Sequence, residues 1–161
     1  MSDAAASATS QLSAFSQKYF PSGIEPKREH DSLIWRFPAP VGADYQFQAT
    51  VFDEGDPHIL SARLLAEPDA YFWYRRFEGP DFQSDDERRD KFIAGVKSCV
   101  TNSTRVVVRS RLLSMSFNLQ VAEGPEWKPF STGIALRTTF KLPRVKRGRT
   151  TFVSPPLVSA P

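Results

Sequence analysis

From His30 onward the apolar residues of this chain recur at every second position, and that period decides what the chain can build. Leu33, Trp35 and Phe37 alternate with Ser32, Ile34 and Arg36; Tyr45, Phe47, Ala49 and Val51 alternate with Gln46, Gln48 and Thr50. Successive side chains of a strand point to opposite faces, so each run reads as a half-buried strand. Pro38 and Pro40 stop the first run. Asp53-Glu54-Gly55-Asp56-Pro57 is turn chemistry, and the next run, His58 to Leu65, is expected to return antiparallel as a hairpin. A fourth run, Tyr71 to Phe77, follows Glu67-Pro68-Asp69.

Arg105 to Val121 continues the pattern with a change of parity. Val106, Val108 and Leu112 share even positions, whereas Leu113, Met115, Phe117, Leu119 and Val121 share odd ones. A β-bulge between Leu112 and Leu113 would let one long strand keep its core face. A tight turn is the rival, but no Gly, Pro or Asn stands there to make it. Glu123-Gly124-Pro125-Glu126 is a turn, and Gly133 to Leu142 is the expected last strand, with Ile134, Leu136, Phe140 and Leu142 inward. Thirteen Phe, three Trp and four Tyr favour a sheet-based core.

Two segments change the period to that of a helix. Leu12, Phe15 and Tyr19 form one short stripe, ended by Pro21-Ser22-Gly23. Ser84-Asp85-Asp86-Glu87 reads as a capping box, in which Ser84 accepts from the Glu87 amide and Glu87 reaches back to the Ser84 amide. The helix it opens is expected over about 84–100, burying Phe92, Ile93, Val96, Cys99 and Val100, with Glu87 and Lys91 spaced to pair. The expected fold class is α+β: a curved antiparallel sheet of about six strands, packed with an N-terminal helix and this longer one. The order of elements is similar to that of secretion-chaperone-like folds, a likeness of order that implies nothing about function. With 161 residues the chain reads as one domain over 11–143, after a disordered Ala/Ser-rich segment (1–10) and before a basic, then Pro-rich tail (144–161).

Enzyme signatures are absent. The chain has no Gly-rich nucleotide loop, no nucleophile elbow and no zinc-protease helix; one Cys and two His cannot make Cys/His zinc spacing. No cofactor and no metal is expected. Cys99 reads as a small buried apolar residue, and the sequon at Asn102 is inert without export. Glu29-His30-Asp31 and Asp53 to His58 are two acid–His clusters at strand ends. They carry the alternative of a small-molecule or metal-dependent enzyme using His30 or His58, against the plainer reading of solvated turns.

Binding features are more numerous. Tyr71 to Phe77 mixes aromatics with arginines, with Phe72, Tyr74 and Arg76 on one face and Tyr71, Trp73, Arg75 and Phe77 on the other. Trp73 and Arg75 are candidate anchors for a protein partner, unless that face is core. Arg105, Arg109 and Arg111 share the outer face of the long strand, Arg137 and Lys141 that of the last, so pairing of the two would make one basic patch. Arg144, Lys146, Arg147 and Arg149 follow it. From Arg137 onward there is no acidic residue; these cations and the overall +3 leave −3 for residues 1–136. Such asymmetry marks interaction tails. Phe152, Val153, Leu157 and Val158 around Pro155-Pro156 suit an extended docking peptide.

The expected function is therefore a non-enzymatic adaptor that engages another protein through an aromatic/Arg sheet surface and its C-terminal tail. RNA or single-stranded DNA binding through the Arg face is the second reading, although the sequence has no RNP-type motif. No run approaches the roughly 18 apolar residues of a membrane span, and Met1–Ser10 has neither the charged nor the apolar region of a secretory signal, so no membrane partner and a cytoplasmic location are expected.

Overall fold

The computed structural model describes residues 1–20, 22–54 and 57–158. Its first helix, α1 (Asp3–Tyr19), starts well before the Leu12 stripe. Ser2 caps it, its hydroxyl accepting from the Ala5 amide at 3.2 Å, and Asp3 complements the positive end of the dipole. Ala5 and Ala8 are as buried as Leu12 and Phe15. The segment expected to be disordered is therefore the first two turns of the helix, whose small buried side chains let it lie close to its neighbour.

That neighbour is α2 (Asp85–Thr101). The Ser84 hydroxyl accepts from the Glu87 amide at 3.1 Å as expected. The Glu87 carboxylate takes the amide of Gln83 rather than that of Ser84, which closes the same turn one residue earlier. Ion pairs on this helix join Arg88 to Asp85 and Arg89 to Asp86. The buried stripe contains Phe92, Ile93, Val96, Cys99 and Val100, as its spacing predicts.

The fold is α+β with antiparallel strands throughout, but the strands form two sheets rather than one. The first is a meander of β1 (Lys27–Glu29), β2 (Ser32–Arg36), β3 (Tyr45–Phe52), β4 (His58–Leu64) and β5 (Trp73–Phe77), in that spatial order. Trp35, Ala49, Val51, Leu60 and Phe77 lie on the face that packs against α1 and α2.

The second sheet has the order β8-β7-β6-β9, with β6 (Thr104–Ser110), β7 (Ser114–Glu123), β8 (Glu126–Leu136) and β9 (Gly148–Ser154). Three expectations change here. The parity switch at Leu112/Leu113 is a turn, Arg111–Leu113, closed by the Arg111 amide on the Ser114 carbonyl at 2.8 Å. None of its residues has positive φ, so the turn needs no glycine. The bulge lies instead opposite Leu119/Gln120, where Phe130 is the extra residue of β8 and turns its ring toward Gly95 of α2. The last expected strand starts seven residues earlier and ends at Leu136. Ala135 is its buried residue, whereas Ile134, Leu136 and Phe140 are exposed.

The third change concerns the tail. Gly148–Ser154 is a strand paired along its whole length with β6, and the Leu157 amide donates to the Val100 carbonyl at 2.9 Å. Its apolar residues dock on their own domain: Phe152 meets Phe72 at 5.2 Å between ring centres, and Leu157 and Val158 pack against the core. A hydrogen bond between the Tyr45 hydroxyl and Thr104 Oγ1, at 2.7 Å, is among those that join the two sheets.

Candidate binding surfaces

The first sheet buries one face under the helices and leaves the other open. Directly opposed residues of an antiparallel ladder share a face. Register therefore places Ile34, Thr50, Ile59 and Arg76 in one row across four strands, and Arg36, Gln48, Ser61 and Tyr74 in the next. All of these but Arg36 line a groove of about 790 Å³. One wall is the Pro68–Phe72 loop. Another is Thr139–Lys141, the segment after β8, tied down where the Tyr71 amide donates to the Lys141 carbonyl at 2.7 Å. Tyr71 stands at the join, its ring 4.8 Å from Phe140, 5.7 Å from Tyr74 and 5.3 Å from the buried Phe117. Burial, and then the neighbouring Tyr74, push the Tyr71 hydroxyl above its ordinary range, so it stays a neutral hydrogen-bonding phenol. A smaller hollow of about 550 Å³ adjoins, sharing Pro68, Asp69 and Lys141 and adding Glu67 and Arg144.

The aromatic/Arg strand thus contributes to a surface through Tyr74 and Arg76. Trp73 and Arg75 are on the inner face. Trp73 is buried, 5.9 Å from Phe130. The Arg75 guanidinium is held over Phe77 and Phe130 and donates to the Phe130 carbonyl at 3.3 Å. The two sequence candidates are core-facing because α2 covers that side of the sheet.

The basic candidates fall into three groups. Arg105 and Arg109 do share the outer face of the second sheet, and Arg149 joins them from β9, directly opposite Arg109. The Arg105 guanidinium lies 4.4 Å over the Trp127 ring and donates to Gln120 Oε1 at 2.6 Å. Arg111 is in the β6–β7 turn, and Arg137 reaches that turn, donating to Ser110 Oγ at 2.8 Å. β6 and β8 do not pair, since β7 separates them, so Lys141 is carried away to the groove. Lys146 and Arg147 are exposed between β8 and β9, and the Arg144 amide donates to Glu67 Oε1 at 3.0 Å.

The histidines are not presented together. His58 is fully buried on the inner face of β4, its ring 5.1 Å from Phe92. His30 is exposed in the two-residue β1–β2 turn, with φ at 53°. Gly55 and Asp56 of the second acid–His cluster lie outside the described residues. Among the described residues no group of three or more His, Cys, Asp or Glu is placed to hold a metal ion. Burial pushes the Cys99 thiol well above its ordinary range, which removes the thiolate a nucleophile needs. No described helix is long and apolar enough to cross a membrane.

Sequence reasoning missed the groove, because its floor is made of the polar alternate positions, Gln48, Thr50 and Ser61, which read as solvated in each strand taken separately. No family model matches the chain, and comparison with curated proteins and with solved structures returned no match.

Proposed function

We propose that the chain is a non-catalytic cytoplasmic binding protein that holds a segment of another protein in the groove on the open face of its first sheet. The observation that carries this reading is the composition of the groove. Apolar patches at Ile34, Ile59, Tyr74 and Phe140 alternate with neutral hydrogen-bonding groups at Gln48, Thr50 and Ser61. Its charged lining is Arg63, Arg76 and Lys141 against Asp69, a balance that suits a partner segment with apolar anchors and acidic residues. The lining includes no His and no Cys.

The test is selection of peptides from a random library on the immobilised protein, with Ile59→Arg as the counter-target. Selected peptides should be rich in apolar and acidic residues, and Tyr74→Ala should weaken them by about tenfold or more. Peptides that bind Ile59→Arg as well as they bind the wild type would refute the groove as their site.

The second reading, RNA or single-stranded DNA binding, has the row of Arg109 and Arg149 with nearby Arg105 behind it. Base stacking wants open aromatic faces, and the ring on this surface, Trp127, is covered by Arg105.

A further inference from the structure

One end of the second sheet has a chemistry that the groove does not share. The β6–β7 turn, the end of β8 and the start of β9 meet there. Leu112 and Leu113 at the turn are each 67% exposed, Ile134 is 72% exposed and Leu136 52%. Register sets these aliphatics among arginines. Ile134 opposes Ser116, Ser116 opposes Arg109, and Arg109 opposes Arg149, so one row on the outer face reads aliphatic, hydroxyl, cation, cation. Leu136 stands opposite Ser114 in the same ladder, beside the turn. The Arg137 amide donates to the Leu113 carbonyl at 3.0 Å, which fixes a further cation beside the apolar tip.

Folding does not account for this arrangement. Like charges directly opposed across a ladder destabilise it. Among the described residues, Arg109, Arg111, Arg137, Arg147 and Arg149 form no ion pair with an acidic side chain. The chain has no acidic residue over 104–122 or after Glu126, so the second sheet carries its acids at the opposite, β7–β8 end.

We infer that this end of the second sheet docks on the surface of an anionic lipid bilayer. Exposed aliphatics at a turn enter the boundary between headgroups and acyl chains, while surrounding arginines meet the negative headgroups. Charge complementarity selects an anionic partner. The four aliphatics then select among anionic partners: they give a nucleic acid nothing to stack on. They also stand on a turn and an edge strand rather than in a pocket of the kind that protein anchors fill. No spanning helix is required, since the contact is peripheral.

The test is co-sedimentation of the full chain with vesicles of phosphatidylcholine alone and of phosphatidylcholine with phosphatidylserine, at low and high salt. Wild type should pellet with the phosphatidylserine vesicles only, and less so at high salt. Arg109→Gln with Arg149→Gln should weaken this by about 25-fold, at about fivefold per cation. Leu112→Ser with Leu113→Ser should weaken it by more than about tenfold. Ile134→Ser provides a separate apolar variant, and all these side chains are exposed, so melting temperatures should hold. Failure of the wild type to bind phosphatidylserine vesicles at low salt would overturn the inference. So would a Leu variant that still binds them fully, or a short single-stranded oligonucleotide that binds in an Arg-dependent, Leu-independent way and displaces the vesicles.

Discussion

The two sheets leave their outer faces to solvent in opposite electrostatic states. On the first, two of the arginines are answered by neighbours: Arg36 meets Glu29 at 2.8 Å and Arg76 meets Glu78 at 2.7 Å. On the second, Arg109 faces Arg149 and no carboxylate lies between them. A face whose charges are partly neutralised at home selects what it binds by shape and apolar fit first and by charge second. A face whose charges are left open selects by charge first, and its grip weakens with salt. The same chain therefore offers two surfaces that ionic strength should separate.

The largest way to break this comparison is to remove one sheet's closing strand. A chain ending at Pro143 lacks β9, leaving the β6 ladder unpaired on one side and Phe72 without its contact to Phe152. We expect a loss of more than about 5 kcal/mol, most of what a domain has, seen as non-cooperative thermal unfolding and dye binding. Retention of the full-length melting temperature would mean that the second sheet stands without β9.

A smaller perturbation separates inside from outside on one strand. Trp73→Ala should cost about 3–5 kcal/mol, or about 10 °C in melting temperature at this chain length. Its neighbour Tyr74→Ala should stay within about 0.5 kcal/mol. Calorimetry of the pair decides which face of β5 is core, and equal losses would contradict the open groove.

Acid gives the smallest effect and touches the first sheet. The Arg36 and Lys27 hydrogen bonds hold the Glu29 carboxyl below its ordinary range, and Arg28 does the same for Asp53. A depressed folded-state value contributes stability that is complete above the unfolded-state value and is lost as pH falls through the folded one. Both carboxyls are half-buried and their pairs reach solvent, so the effect is small. The melting-temperature advantage of wild type over Arg28→Gln should shrink as pH falls from about 5 to about 2. A gap that widens instead would contradict the assigned pairing.

The α+β class and the first sheet were legible because alternation over β2, β3 and β4 is strong and each run ends at turn residues. Alternation names two faces without saying which is buried, and that is why Trp73 and Arg75 read as surface candidates. Arg75 is a cation lodged between two rings of the core, a placement no period reveals. The helix start was hidden because Ala5 and Ala8 bury little area, although Ser2-Asp3 before an alanine run is a start signal. The Arg111–Leu113 turn was hidden because right-handed turn conformations suit most residues. β9 was missed for a related reason: Phe152 is its one large inward side chain, and the β-branched run Thr150-Thr151 beside it was the available clue. The groove and the basic end depend on which strands pair, and pairing across separate strands is not written in any one of them.

The partnership of β6 with β9 also has a consequence in time. On a ribosome, β6 is complete at Ser110 but its second neighbour begins only at Gly148. At about 5–20 residues per second, an edge of β6 waits for some seconds with its amides and carbonyls unclaimed. Open edges of this kind let nascent chains pair with one another. Arg105 and Arg109 give that waiting edge a charge of its own, so two copies meeting there repel before they can register, until the chain's own later strand arrives to close it.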